Sequence, residues 1–157
     1  MLRLSKLTDY AVVVLVRLSE ESDLQASGGI AGATGVPEPT VAKVLKIMTT
    51  AGLVLSQRGA RGGYRLARPL ATISIAEVII AIDGPIALTA CVEHSAMVCD
   101  SSSLCPVKGR WDPVNSAIQD ALSAISLADM RPSHFFPLPA HHLPESKAPR
   151  SSTAFVE

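Results

Sequence analysis

Aromatic side chains are scarce in this sequence: one Trp, two Tyr and three Phe among 157 residues. The core must therefore be assembled from Val, Leu, Ile and Ala, and the length suits one such core with an extension. No run of about 18 apolar residues occurs, so no membrane span is expected. The opening Met1-Leu-Arg-Leu-Ser-Lys6 leads straight into a patterned helix holding Asp9 and Arg17. That is no secretory leader, and the protein reads as cytosolic. Net charge is also missing, but the zero sum hides an asymmetry. Residues 1–70 carry nine Lys and Arg against five Asp and Glu, or +4; residues 71–157 carry five against nine, or −4. Only the first part is basic enough to approach a polyanion.

Cysteine is nearly absent as well. The three thiols, Cys91, Cys99 and Cys105, all lie in Cys91-Val-Glu-His-Ser-Ala-Met-Val-Cys99-Asp-Ser-Ser-Ser-Leu-Cys105-Pro. An odd number of thiols in a cytosolic chain fits a disulfide framework poorly. Thiols used for packing would be spread over apolar elements. Three soft ligands gathered in an aperiodic stretch, with His94 and several acids beside them, read as a metal or redox centre. A Cys₃His zinc site is one form it can take. A cysteine-nucleophile enzyme is not expected, because His94 lacks a third group to orient it.

Along the chain, Leu4, Leu7, Ala11, Val14, Leu15 and Leu18 recur at helical spacing behind Ser5, predicting a helix over about 5–21. Ser27 can cap a short glycine-rich helix that Gly35 ends. After the rigid turn Val36-Pro-Glu-Pro39, a third helix is predicted from Thr40 to Ala51, burying Val41, Val44, Leu45 and Met48 and turning Lys43 and Lys46 away. Two helices joined by a tight turn, the second with a basic outer face, form the helix-turn-helix pattern. Residues 53–66 read as strand, glycine-rich turn and strand, a wing whose tip carries Arg58 and Arg61. With Lys43, Arg65 and Arg68 near the same edge, the wing reads as a DNA contact rather than a solvated basic loop. Residues 74–82 form a short apolar helix, with Ser74 and Glu77 as a capping box.

Beyond Cys105 a last helix is expected to about Asp129, with Asp112 and Pro113 as its cap and first residue. Val114, Ile118, Ala121, Leu122, Ile125 and Ala128 form its seam. A single apolar seam on a terminal helix is core or a dimer interface, and two-fold DNA sites favour the dimer. Residues 131–157 hold five prolines and three histidines without periodicity, and read as a disordered tail. The fold class is mainly α with a small β-hairpin wing. It divides into a winged helix-turn-helix region at 1–83, a cysteine loop at 84–106, a dimerisation helix at 107–130 and the tail.

This order resembles the winged-helix iron–sulfur regulators of the IscR and NsrR type, over about residues 1–130. The resemblance is carried by Leu4-Ser-Lys-Leu-Thr-Asp-Tyr-Ala11, by Arg58-Gly-Ala-Arg-Gly-Gly-Tyr64, by Ile75-Ala-Glu-Val-Ile-Ile-Ala-Ile-Asp83 and by the cysteines. Val36-Pro-Glu-Pro-Thr-Val-Ala-Lys-Val-Leu45 and Cys105-Pro are most similar to the regulators of SUF-type iron–sulfur assembly. The resemblance implies a homodimeric repressor, with no enzymatic activity, bound to double-stranded promoter DNA through Thr40, Lys43, Arg58, Arg61, Tyr64 and Arg65. It also implies a 2Fe–2S or 4Fe–4S cluster on Cys91, Cys99 and Cys105. IscR-type members place a histidine three residues after the third cysteine, whereas this chain has Lys108, which cannot ligate while protonated. NsrR-type members use an aspartate of the partner subunit that matches Asp9, so Asp9 is the first candidate for the fourth ligand and His94 the second. A nitric-oxide or redox sensor of stress genes, and a zinc or thiol regulator without a cluster, are the alternatives.

Overall fold

The structure is a computed structural model and describes residues 3–92 and 105–131. Helix α1 (Lys6–Leu18) starts where the Ser5 hydroxyl accepts the Thr8 N–H at 3.2 Å, and buries Thr8, Ala11, Val14, Leu15 and Leu18. It ends at Leu18, three residues short of the predicted end, and Arg17 pairs with Glu20 and Glu21 just beyond it. Helix α2 (Ser27–Thr34) has Ala26 at its cap position. Ser27 does not cap it, and its hydroxyl instead donates to the Glu38 carboxylate at 3.3 Å. Gly35, at φ 71°, ends the helix in the left-handed region that glycine adopts without strain.

Helix α3 (Glu38–Thr50) starts two residues earlier than predicted, since Pro39 is tolerated in a first turn whose N–H groups have no helical partner. Its buried face is the expected one: Val41, Val44, Leu45 and Met48. Strands β1 (Val54–Gln57) and β2 (Gly63–Leu66) pair antiparallel, with Val54 opposite Leu66 and Gln57 opposite Gly63. A short 3-10 turn (Leu70–Thr72) leads into α4 (Ile75–Asp83), which carries the expected capping box. Burial by itself would raise the Glu77 carboxyl. The Ser74 donors and the Arg68 guanidinium outweigh that and hold it below its ordinary value.

The last helix, α5, is shorter than expected. It runs from Asp112 to Ala124 with Trp111 at the cap position, and residues 106–111 form turns instead of extending it. Ile125 is extended, and the chain then folds back onto the winged head rather than continuing as a straight rod. The Ile75 N–H donates to the Ile125 carbonyl at 2.9 Å, and the Leu127 N–H to the Ile73 carbonyl at 2.8 Å. Leu127, in a terminal 3-10 turn (Leu127–Met130), is fully buried in the same core as α1, α3 and α4. The core is aliphatic throughout, with Met48 its largest side chain after the leucines and isoleucines. Among the described residues, no helix is long and apolar enough to cross a membrane.

Candidate nucleic-acid interface and cysteine centre

The second helix of a helix-turn-helix reads a groove through the face it does not bury. On α3 that face comprises Pro39, Ala42, Lys43, Lys46 and Thr50, all exposed, with Thr40 half-buried at its edge. Ala42, Lys46 and Thr49 border a cleft of about 410 Å³ whose other wall is the wing, through Gln57, Arg58 and Tyr64. Lys43 lies further round the same exposed face, where it lines with Lys46 a second hollow that reaches Ala81 of α4. Thus Lys46 stands between the two hollows, with Lys43 beside one of them.

The wing is held close to the head by main-chain pairing. Gln25 and Tyr64 exchange both backbone hydrogen bonds at 2.9 Å. Buried Gln25 also donates from Nε2 to the Leu18 carbonyl at 3.2 Å. This close approach explains Gly63, where a β-carbon would come within 2.8 Å of the Gln25 carbonyl oxygen. At Gly62 a β-carbon would meet the Gln57 carbonyl oxygen at 2.3 Å. The bare backbone at the tip leaves Arg58 and Arg61 exposed.

Two of the expected basic residues lie elsewhere. Arg65 pairs with Leu55 on the outer face of the hairpin. It lines a separate cleft with Arg68 and Arg131, away from the groove between α3 and the wing. Arg68 is engaged by the Glu77 carboxylate and the Thr72 carbonyl, so it ties the turn after β2 to α4. Conversely, Lys46 and Gln57 belong to the α3–wing groove although the sequence argument did not select them as contacts. The signal for Lys46 was present in its helical phase, four residues from Ala42; Gln57 acquires its place only through the strand register.

The cysteine centre has two visible arms. One runs from Gly84 to Val92 without regular structure, and Val92 is buried. Cys91 is half-buried and unbridged, with its sulfur 3.2 Å from the Thr89 hydroxyl. The other arm begins at Cys105, also half-buried and unbridged, and turns into α5 through Lys108 and Gly109. Cys99 and His94 lie outside the described residues. Among the described residues, no three His, Cys, Asp or Glu side chains gather closely enough to hold a metal.

Asp9 stands exposed on α1, on the border of an apolar cleft of about 710 Å³ lined by Leu4, Val12, Ile75, Ile125 and Met130. Its position is fixed by its neighbour. Thr8, almost completely buried, donates its hydroxyl to Asp83 Oδ2 at 2.6 Å. The Ser5 backbone N–H reaches the same oxygen at 3.4 Å. The start of α1 is therefore clasped to the root of the cysteine arm, joining two of the motifs quoted above.

A family model described as that of iron-dependent transcriptional regulators, Rrf2, matches residues 4–132. The chain belongs to the Rrf2 family. It is 31% identical over 123 residues to the helix-turn-helix-type transcriptional regulator IscR of Vibrio vulnificus (strain YJ016), covering 77% of this chain and 72% of that one. Among solved structures it is similar to CymR, the global cysteine regulator of B. subtilis, with a TM-score of 0.64 and 25% identity over 83% of this chain and 96% of that one. It is also similar to T. potens IscR, with a TM-score of 0.60 and 28% identity over 82% and 85% of the two chains. The mainly helical architecture with a two-stranded wing is thus that of an Rrf2-type winged-helix transcriptional regulator.

The seam expected on the last helix of this Rrf2 chain divides in two. Leu122, Ile125 and Ala128 pack against the monomer's own core, and Ile118 faces a cleft shared with Ile79 and Leu88. Val114 and Ala121 face outward with Ala117 and Ala124, giving an exposed stripe of small apolar residues. Its spacing of three, four and three is that of one helix face.

Proposed function

We propose that this regulator is a cytosolic homodimer that represses promoters of iron–sulfur assembly genes of the SUF type and senses cluster status at Cys91, Cys99 and Cys105. The observation that carries the reading is the placement of the thiols. All three fall between a winged DNA-reading head and a helix with an exposed apolar stripe, and the two described thiols are unbridged on arms that meet α5. The family's description as iron-dependent supports the same reading. The donor chemistry fits: three soft thiolates suit the iron of a 2Fe–2S or 4Fe–4S cluster, and a carboxylate closes the fourth site. Asp9 of the partner subunit is the fourth ligand, and His94 is the alternative.

Such a cluster, held by Cys91, Cys99, Cys105 and Asp9, would supply an iron centre sensitive to small oxidants and nitric oxide. The protein's own residues do the rest. Ser5, Thr8 and Asp83 tie the start of α1, which carries Asp9, to the loop root, and α5 presents its stripe of Val114, Ala117, Ala121 and Ala124 to a second copy. Lys43, Lys46, Thr40 and Tyr64 face one groove of double-stranded DNA while Arg58 and Arg61 meet the flanking phosphates. Arg65, on the outer face of the wing, takes part only where the DNA wraps that edge.

Protein purified without oxygen should be brown, with iron and sulfide in stoichiometric amounts. Cys99→Ser should lose the visible chromophore; wild-type iron content in that variant would remove the cluster. A second reading, a thiol-redox regulator without a cluster, is favoured by the likeness to CymR. It predicts a colourless protein whose DNA affinity changes on thiol oxidation alone.

A further inference from the structure

We propose that Asn115 is a positioning residue of the cysteine centre, acting by holding the Cys91 arm to the helix into which the Cys105 arm runs. This rests on the reading of the three thiols as one centre. Asn115 is the only buried polar residue of α5, 6% exposed, on a helix whose other polar side chains are exposed apart from the half-buried Asp112. A buried primary amide must have both its groups satisfied. Here its Nδ2 donates to the Ile86 carbonyl at 2.9 Å, and its Oδ1 accepts the Leu88 N–H at 3.0 Å.

That bidentate grip replaces a strand partner for a stretch with no regular structure of its own. Five residues from Ile86 stands Cys91, and between them Thr89 reaches forward. Its carbonyl accepts the Val92 N–H at 3.5 Å, and its hydroxyl meets the Cys91 sulfur. The Cys105 arm needs no such grip. It is continuous with α5 through the turns at Lys108 and Arg110, whose N–H groups donate to the Cys105 and Val107 carbonyls. Both ends of the thiol-bearing segment are therefore referred to one turn of one helix, and Asn115 supplies the half that chain continuity does not. The next residue back, Val114, is exposed on the stripe proposed to meet a second copy, so the grip on the Cys91 arm and that stripe share one turn.

The test uses the full chain, prepared without oxygen, as wild type, Asn115→Leu and Asn115→Asp. Leucine keeps the γ-branched shape, with bulkier methyl ends, and removes both hydrogen bonds; aspartate keeps the acceptor for the Leu88 N–H. Three quantities are read: amide exchange at Leu88, alkylation of Cys91 against Cys105 in metal-free protein, and loss of iron to a chelator after reconstitution. In Asn115→Leu the first two should rise about tenfold at Leu88 and Cys91, the factor for loss of a hydrogen bond of ordinary strength, with Cys105 little changed. Iron loss should quicken by a similar factor, and Asn115→Asp should lie between.

Equal acceleration at Cys91 and Cys105 would show general loosening and overturn the assignment, as would unchanged Cys91 reactivity in folded Asn115→Leu. If Asn115→Leu fails to fold, Asn115→Asp decides alone, and wild-type behaviour there overturns the assignment. A wild-type protein that takes up no iron or sulfide defeats the cluster reading instead, while the Cys91 alkylation ratio still decides the role of Asn115.

Discussion

Thr8 is an unusual choice for the buried face of an aliphatic helix, and its hydroxyl explains it. Burial of an unpartnered hydroxyl is costly, whereas the 2.6 Å bond to Asp83 both satisfies Thr8 and holds the carboxylate ionised. Partial burial pushes the Asp83 carboxyl up, but the Thr8 and Ser5 donors outweigh it and leave it below the ordinary 3.8. A carboxyl depressed on folding stabilises the protein above its ordinary value, and that contribution is lost as pH falls through the depressed one. Thr8→Val should therefore cost about 1 kcal/mol at pH 7, and the gap from wild type should narrow at about pH 3. Urea unfolding at the two pH values measures it; an equal gap at both would show that the hydroxyl acts by packing alone. The same clasp orients Asp9, one residue along, so a residue that reads as core also sets the candidate ligand.

At the scale of elements, the wing shows how the head is built and what the sequence can convey. Its turn is legible in Arg58-Gly-Ala-Arg-Gly-Gly-Tyr64, and α1, α3 and α4 are legible in their apolar periodicity and in Ser5, Ser74 and Glu77. The brace at Gln25 is not legible, because a single bridging residue has no period, and its only trace is that Gly63 tolerates no side chain. Arg65 and Arg68 stand away from the α3–wing groove for a related reason: composition reports charge, but strand alternation and an ion pair with Glu77 decide where it points. The end of α5 was overrun because Ile125 continues the helical spacing while Ser126 and Asp129 close a capping box that starts a new turn. The wing arginines follow from exposure and charge together. Arg61→Ala should weaken operator binding several-fold with a smaller salt dependence and an unaltered visible spectrum. Fluorescence anisotropy at two salt concentrations checks it, and a spectral change would contradict the division of roles.

At the scale of the whole molecule the question is whether sensing and DNA reading are joined within a chain or across two. The Thr8–Asp83 clasp locks α1 to the root of its own cysteine arm, so among the described residues the start of α1 and that root are held together. If Asp9 completed the site of its own chain, gain or loss of a cluster would have little to move. If it completes the partner's, the cluster ties the head of one chain to the cysteine arm of the other, and the separation of the two α3 helices changes with occupancy. A coupling of about 1–3 kcal/mol then suffices for regulation. A mixed dimer separates the cases. One chain carries Asp9→Ala with its cysteines intact, and the other carries Cys99→Ser with Asp9 intact. Closure across the dimer leaves one complete site in every mixed dimer; closure within a chain leaves none. With two affinity tags the mixed species can be isolated and reconstituted without oxygen. Closure across the dimer predicts half the wild-type iron, lost in air at the wild-type rate. Iron lost as fast as from the Asp9→Ala homodimer, and faster than from wild type, would make Asp9 the ligand of its own chain; an Asp9→Ala homodimer that keeps iron as wild type does would direct attention to His94.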